Sequence, residues 1–541
     1  MKSAHGPMRS FAHHVRRFRG DEDGSMVIFS LFVFLLMVMV GGIAVDTMRA
    51  EMRRTELQST IDRAILAAAD LDQTRPPAEV VNDYFEKAGM SAYLGNVTVT
   101  QGLNFKTVTA TGSYPLDTFF MRMSGVDTIN VPGRGTAEER VTDVEISLVL
   151  DISGSMGWNN KIANLRTAAR DFVDTVVKDS DDGLTTISIV PYNATVNLGS
   201  VLSQYYTLSD EHDYSRCAIF PDAAFFDTTI SRTDELERLG HFDLNSQDQD
   251  STEIPNPWCP DTDYGSILVH SHNTSTLKSH INGLGASGNT AIDLGMKWGV
   301  ALLDPSASTL ITDMIADGRV SGEAASRPAA YTNIDTLKVV VLMTDGENTT
   351  QFDLRDSRKS GYSNIFVDRR GDSDPSNDRF SVRIRDNSGT ANDVYYLPRY
   401  EGWSWSWRYQ NEPDGGLSNV ERMTFPEVFA RWGTAAYALE FYRRPYLDGW
   451  VSYNTYYWEW YSWGSIVGPD DADDRLEDIC SEARNAGITI FTIGFEAPQR
   501  GLAAMSDCAS SPNHYFDVEG TEISEAFSAI ASQINQLRLT Q

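Results

Sequence analysis

Positive charge and cysteine are both scarce in this chain, and each shortage excludes a class of function. Across 541 residues, 45 Lys and Arg stand against 75 Asp and Glu, a formal net charge of −30. Such a field disfavours nucleic acid and anionic membrane surfaces, and it suits a soluble domain in a salty or cation-rich medium. The four cysteines, Cys217, Cys259, Cys480 and Cys508, form no C-x-x-C pair, which argues against a zinc knuckle or a thioredoxin-type motif. An even count suits two disulfides in oxidising surroundings. Three pairings are open, and Cys217 with Cys259 and Cys480 with Cys508 are favoured because each pair lies within one segment of the chain. Long apolar runs are scarce too: a single strongly apolar stretch, "MVIFSLFVFLLMVMVGGIAV", covers Met26 to Val45.

That stretch has about the 20 residues a helix needs to cross a bilayer. Lys2, Arg9, Arg16, Arg17 and Arg19 precede it, so a cytoplasmic N-terminus and an exported remainder are expected. A cleaved secretory signal is the alternative, but the run is longer than the usual signal core and no small-x-small site directly follows it. Beyond it, Asp46 to Leu71 lacks proline and glycine and is rich in Ala, Leu, Glu and Arg, so the helix should continue as a stalk. "RPP" at Arg75 to Pro77 stops it. Period-two alternation follows, as in "FKTVTATGSY" from Phe105 to Tyr114. The expected order is therefore a basic tail (1–24), a transmembrane helix (25–45), a stalk (46–74) and a small strand-containing, pilin-like α+β domain (75–142).

From 143 to the end the pattern changes. "VEISLVL" (Val144 to Leu150), "LTTISIV" (Leu184 to Val190), "KVVVLMT" (Lys338 to Thr344) and "ITIFTIG" (Ile488 to Gly494) have the length and β-branched content of buried parallel strands. Ile162, Leu165, Ala169, Phe172 and Val176 fall at helical spacing, as do Ile523, Phe527, Ile530, Ile534 and Leu537. Strands alternating with helices predict an α/β, doubly wound, Rossmann-like domain. Insertions at about 203–276, 304–336 and 348–470 are far longer than ordinary connections. The last holds Trp403, Trp405, Trp407, Trp432, Trp450, Trp458, Trp460 and Trp463, eight of the chain's eleven tryptophans, which argues against disorder. These aromatics are read as a small core of the insertion's own, with an adhesive or glycan-binding surface as the alternative.

Chemistry concentrates where apolar strands end. In "VLDISGSMGWNNKIANLRTAA" (Val149 to Ala169) the G-x-S-x-G pattern of a serine nucleophile fails at Ser153, and no histidine falls between His280 and His514. A second aspartate two residues beyond Asp151, as a phosphotransfer nucleophile would want, is replaced by Ser153. Asp151, Ser153 and Ser155 could simply cap the next helix. However, "GASGNTAIDLG" sets Thr290 before a helix and "VVVLMTDGENT" sets Asp345 just after a strand. The carboxyl ends of parallel strands share one rim, so these five residues should meet there. Three hydroxyls and two carboxylates make an all-oxygen set suited to a hard cation such as Mg²⁺ (or Mn²⁺). A cation held by so few charges keeps affinity for a further carboxylate, which a partner protein could supply. Glu347 reads as an exposed loop charge, the acidic "GPDDADDRLED" (Gly468 to Asp478) as a helix N-terminus, and the Arg-Gly-Asp within "DRRGDSDPSNDRF" as a surface turn.

"DISGSM", the threonine of "GNTAIDLG" and the aspartate of "VVVLMTDGENT" resemble the von Willebrand factor A domain and its metal-ion-dependent adhesion site, D-x-S-x-S…T…D. The resemblance implies that Ser153, Ser155 and Thr290 ligate the ion directly, with Asp151 and Asp345 doing so directly or through water. "DGSMVIFSLFVFLLMVMVGGIAVDTMRAEMRRTELQSTIDRAILAAA" is similar to the N-terminus of TadE/TadG-like proteins of the bacterial tight-adherence (Flp) pilus system, and the C-terminal segments resemble the end of TadG proteins. Together these cover about two-thirds of the chain, the insertions lying outside. They imply a single-pass inner-membrane protein, periplasmic in bulk and not an enzyme, whose partners are pilins or pilus-assembly proteins engaged through an acidic side chain at the metal. Phe29 stands five residues after Gly24, where related pseudopilins carry the glutamate of their processing site, so a permanently anchored chain is expected. The alternatives are a surface-exposed adhesin for host or matrix ligands and, more distantly, a metal-dependent hydrolase.

Overall fold

The computed structural model describes residues 23–70, 73–101, 105–140, 142–177, 183–386, 393–399 and 408–540. The basic residues of the N-terminal tail and Trp403, Trp405 and Trp407 lie outside these. The chain forms two compact units, residues 1–141 and 142–541.

In the first unit, helix α1 (Asp23–Ala69) runs unbroken from the apolar stretch into the Ala- and Arg-rich segment, and it is long and apolar enough to cross a membrane. Its second half is not free-standing. Leu57, Ile61, Ala64, Ile65 and Ala68 are buried against α2 (Pro77–Lys87), through Val80, Val81 and Phe85, and against Val108, Ala110 and Ala137 of an antiparallel sheet. That sheet has three strands in chain order, β1 (Leu94–Gln101), β2 (Phe105–Asp117) and β3 (Thr128–Arg140). Period-two alternation puts alternate β2 residues on the helix, and the facing positions are small: a Cβ at Gly133 or Gly135 would lie 2.8 Å from Ile61 or Ile65.

The second unit is built on a six-stranded sheet. Its strands are β4 (Asp143–Asp151), β5 (Thr185–Tyr192), β6 (Leu268–Ser271), β7 (Thr336–Thr344), β8 (Thr489–Phe495) and β9 (Tyr515–Val518). They lie in the order β9-β8-β7-β4-β5-β6, all parallel except the edge strand β6. Helices α3 (Lys161–Val176), α4 (Thr274–Gly283) and, at the C-terminus, α7 (Glu522–Thr540) bury apolar stripes on one face. α5 (Ile292–Ala301) and α6 (Pro469–Asn485) bury theirs on the other. This is the doubly wound α/β fold expected from the strand–helix alternation. The order reverses beside β4, so its carboxyl end and that of β7 open on one crevice.

Edge strand β6 falls inside the segment read as the first insertion. Four residues with a single clear apolar alternation carry too little periodicity to reveal a strand. The first and third insertions combine: backbone bonds run from Thr434 N to Asp243 O (3.0 Å) and from Ala436 N to Ser246 O (3.1 Å). Gly433, at φ 67°, makes this possible, because a Cβ there would sit 2.7 Å from Asp243 O. Over this region lies an antiparallel five-stranded sheet from the third insertion. Trp432 is buried among Phe380, Phe441 and Trp432's own helix (Phe425–Phe441), whereas Trp450 and Trp458 are exposed, so the tryptophans divide between core and surface. The disulfides join Cys217 to Cys259 and Cys480 to Cys508.

Candidate metal centre

β4 ends in Asp151 and β7 ends in Thr344, with Asp345 next; register pairs Leu150 with Met343, so the two strand ends finish level. Thr344 Oγ1 donates to Asp151 Oδ2 (2.7 Å), and the Ser153 N–H donates to Asp151 Oδ1 (2.7 Å), folding the loop back on its own aspartate. The two serines then face Asp345. Ser155 Oγ donates to Asp345 Oδ1 at 2.6 Å, Ser153 Oγ lies 3.5 Å from the same oxygen, and the two hydroxyls are 3.1 Å apart.

The threonine loop is tied alongside by backbone bonds, from Gly154 N to Gly288 O (2.9 Å) and from Ser287 N to Ile152 O (2.9 Å). Asn193, just past β5, grips it from the other side by donating from Nδ2 to Ser287 O (2.9 Å) and accepting from Ala291 N (2.7 Å). The loop after Asp345 completes the arrangement. Thr349 Oγ1 donates to Thr290 O (3.0 Å) and Asn348 Oδ1 accepts from Ile292 N (2.7 Å), while a Cβ on Gly346 would sit 3.3 Å from Thr290 Oγ1. Thr290 is therefore beside the Asp345 turn, with its backbone rather than its hydroxyl in the network. Asp151, Ser153 and Ser155 are brought together with Asp345, and Thr290 borders them.

One charged neighbour is not marked by any strand-end pattern in the sequence. Lys161, buried at the start of α3, donates to Asp345 Oδ2 at 3.0 Å and lies 3.8 Å from Glu496 Oε2. Asn159 and Asn160 turn the chain toward the site, both with positive φ (52° and 58°), a conformation asparagine tolerates better than most residues. The double asparagine was the available signal. Burial, reinforced by the charge of Asp345, pushes the Asp151 carboxyl up to about 7, against the hydrogen bonds from Ser153 and Thr344.

The donor set fits a hard cation. Octahedral Mg²⁺ holds oxygens at about 2.0–2.1 Å, which spaces neighbouring ligands by roughly 3 Å, close to the 3.1 Å between the serine hydroxyls. Among the described residues no group of three or more His, Cys, Asp or Glu is placed to hold a metal. A metal here would rely on hydroxyls as much as on charge. Ser155 Oγ bonds to Ser153 and Asp345, and Asp345 in turn holds Lys161.

The strand order and the loops at its carboxyl rim define a doubly wound, Rossmann-like α/β domain with the candidate site at its switch point. Ahead of it, residues 24–71 match the family described as "Putative Flp pilus-assembly TadE/G-like". Among solved structures, the chain is similar to the von Willebrand factor domain of the type V pili tip protein Mfa5 from Porphyromonas gingivalis, at 15% identity and TM-score 0.30, covering 74% of this chain and 97% of that one. It is also similar to the pilus adhesin RrgA from Streptococcus pneumoniae, at 13% identity and TM-score 0.31, covering 81% and 49%. A third is proximal thread matrix protein 1 from the mussel byssus with a zinc-occupied adhesion motif, at 11% identity and TM-score 0.25, covering 73% and 46%. No curated protein matches.

Proposed function

We propose that this chain is a membrane-anchored, non-enzymatic component for the assembly, anchoring or scaffolding of a Tad-type surface pilus, and that it holds partner proteins through a divalent cation. α1 would cross the inner membrane with its N-terminus in the cytoplasm, and the second unit would stand in the periplasm. The observation that carries the reading is the convergence of Ser153 Oγ and Ser155 Oγ on Asp345 Oδ1, with Asp151 held behind them at the switch point of the sheet. Ser153, Ser155, Thr290, Asp151 and Asp345 would hold Mg²⁺ or Mn²⁺. The bound ion would supply a positive centre that accepts an acidic side chain from a pilin or another assembly protein. The residues of the chain fix the loops that present it.

An exposed aromatic surface on the third insertion favours the adhesin as a second reading. Tyr446 stacks on Tyr456 (5.8 Å), Tyr457 packs at a tilt against Tyr461 (4.7 Å), and Arg355 lies over the exposed Trp458 ring (4.5 Å). Such rings give contact area at low entropic cost.

The test is Asp151→Ala in the native cell, with Ser155→Ala as a milder partner should the first fail to accumulate. Loss of surface fibres at normal protein level is expected; normal fibres with either variant present at normal level would sink the metal reading. Surface labelling of intact cells separates scaffold from adhesin, since an assembly component should stay shielded.

A further inference from the structure

The connection between β2 and β3, residues 118–127, carries an apolar tip that packing alone does not explain. Phe119 is 66% exposed and Met123 79%, with Val126 also exposed. This tip is fastened to one place on α1. Asp46, immediately beyond the apolar run, is fully buried, and its carboxylate accepts the backbone N–H groups of Phe119 (3.0 Å), Phe120 (2.7 Å) and Met121 (2.8 Å). Arg49 braces the same turn: it bonds to Asp46 Oδ1 and Asp117 O (3.3 Å each) and lies over the Phe119 ring at 3.9 Å. One helical turn earlier, inside the apolar run, a Cβ on Gly42 would run into the Cβ and ring of Phe120. Only glycine lets that ring lie on the helix.

These contacts fix the tip's height. Gly42 is three residues inside the end of the apolar stretch, about 4.5 Å along the helix axis. Phe120 is therefore level with the last part of the span, while Asp46 and Arg49 hold the loop from the polar side. The sheet's other residues at this end do not cover Phe119 or Met123.

We propose that the β2–β3 tip is a second membrane contact, with Phe119, Met123 and Val126 inserted at the headgroup–acyl boundary beside α1, and Arg122 at headgroup level. Apolar side chains seated on an interface bury roughly 5–10 Å below it. The Asp46 clamp makes the insertion rigid, so the first unit is oriented against the bilayer by two points rather than hinged on one helix. The occupant is lipid, because the surface is continuous with the span itself.

All four cysteines are paired, so Met123→Cys gives the full chain one free thiol for an environment-sensitive fluorophore. Thr98→Cys is the control; its β2 partner Thr109 lies eight residues from the strand end at Asp117, roughly 26 Å of strand. In vesicles carrying a spin label near the headgroup, the probe at 123 should emit blue-shifted light and be strongly quenched, and the probe at 98 neither. Asp46→Ala in the Met123→Cys chain should return the emission toward that of position 98. A chain that floats with the vesicles while its 123 probe stays red-shifted and unquenched would overturn the proposal and leave the membrane span intact. Blue-shifted but unquenched emission would assign the tip to a protein partner and overturn it as well.

Discussion

At the scale of residues, the ion pair between Lys161 and Asp345 sets the electrostatics of the candidate site. Removing the amine leaves Asp345 buried with only hydroxyls and puts it in unrelieved repulsion with Asp151. Breaking such a buried pair costs about 3 kcal/mol or more. Lys161→Met, which keeps the stem, should lower the melting temperature of the chain in chelator. Added Mg²⁺ should recover more of the loss than it gives the wild type, because the amine no longer competes for Asp345. Equal Mg²⁺ shifts for both chains would count against cation binding at Asp345. A different residue reports on acid. His241 is buried, stacked on Tyr214 (5.2 Å), and burial, aided by the nearby His212, pushes its imidazole down from 6.5 to about 3. The native state thus binds fewer protons than the unfolded state between those values, and stability from this residue rises with pH up to 6.5 and is lost as pH falls below it. The slope is at most about 1.4 kcal/mol per pH unit. His241→Phe should flatten the acid side of the stability curve, and parallel curves for the two proteins below pH 6 would refute the assignment. Asp151, Ser153, Ser155 and Asp345 were legible because short oxygen-bearing side chains right after apolar strands stand out against the pattern. Lys161 and Glu496 were not, since their approach depends on two left-handed asparagines and on a loop more than three hundred residues away.

Among elements, the buried strands β4, β5, β7 and β8 are marked by short, largely apolar runs rich in β-branched residues, and α3 and α7 by stripes of period 3.6. β6, β9 and the strands of the insertions are not marked in this way because most of them span only two to five residues, too few to establish a period. The joining of the first and third insertions also escaped, since it depends on a positive φ at Gly433 and backbone bonds to a distant loop. One cross-link has a consequence for the site. Cys480–Cys508 ties α6 to the following helix (Gln499–Cys508), whose Gly501 packs so tightly on the Asp345 turn that a Cβ would stand 2.0 Å from Gly346 O. Replacing both cysteines by alanine should cost about 2–4 kcal/mol, read as a lower denaturant midpoint. Because the helix also positions the turn, cation affinity should weaken in the folded variant, whereas loss of Cys217–Cys259 should leave affinity unchanged. Identical affinities in both variants would remove the link between this helix and the site.

For the whole molecule, the net charge of −30 decides how cation binding must be measured. A strongly acidic surface gathers divalent ions diffusely, and calorimetry at low salt would record many weak sites whatever the loops at the sheet rim do. Diffuse binding is screened once the Debye length falls to about 8 Å at 0.15 M salt. Oxygens that converge within a few ångströms behind buried loops are screened far less. With rising NaCl, Mg²⁺ or Mn²⁺ binding to the detergent-solubilised chain should therefore fall from many equivalents to one, and that one should be absent in Asp345→Asn. Total loss of binding at 0.15 M salt, or a remaining equivalent that survives Asp345→Asn, would place whatever affinity the chain has on its acidic surface and leave the pilus role without its metal. The same screening argument bears on partners: a carboxylate ligand must approach through the chain's own negative field. Capture through the ion should consequently speed up as salt rises, opposite to the behaviour of oppositely charged surfaces, and a capture rate that falls with salt would point to a contact other than the metal.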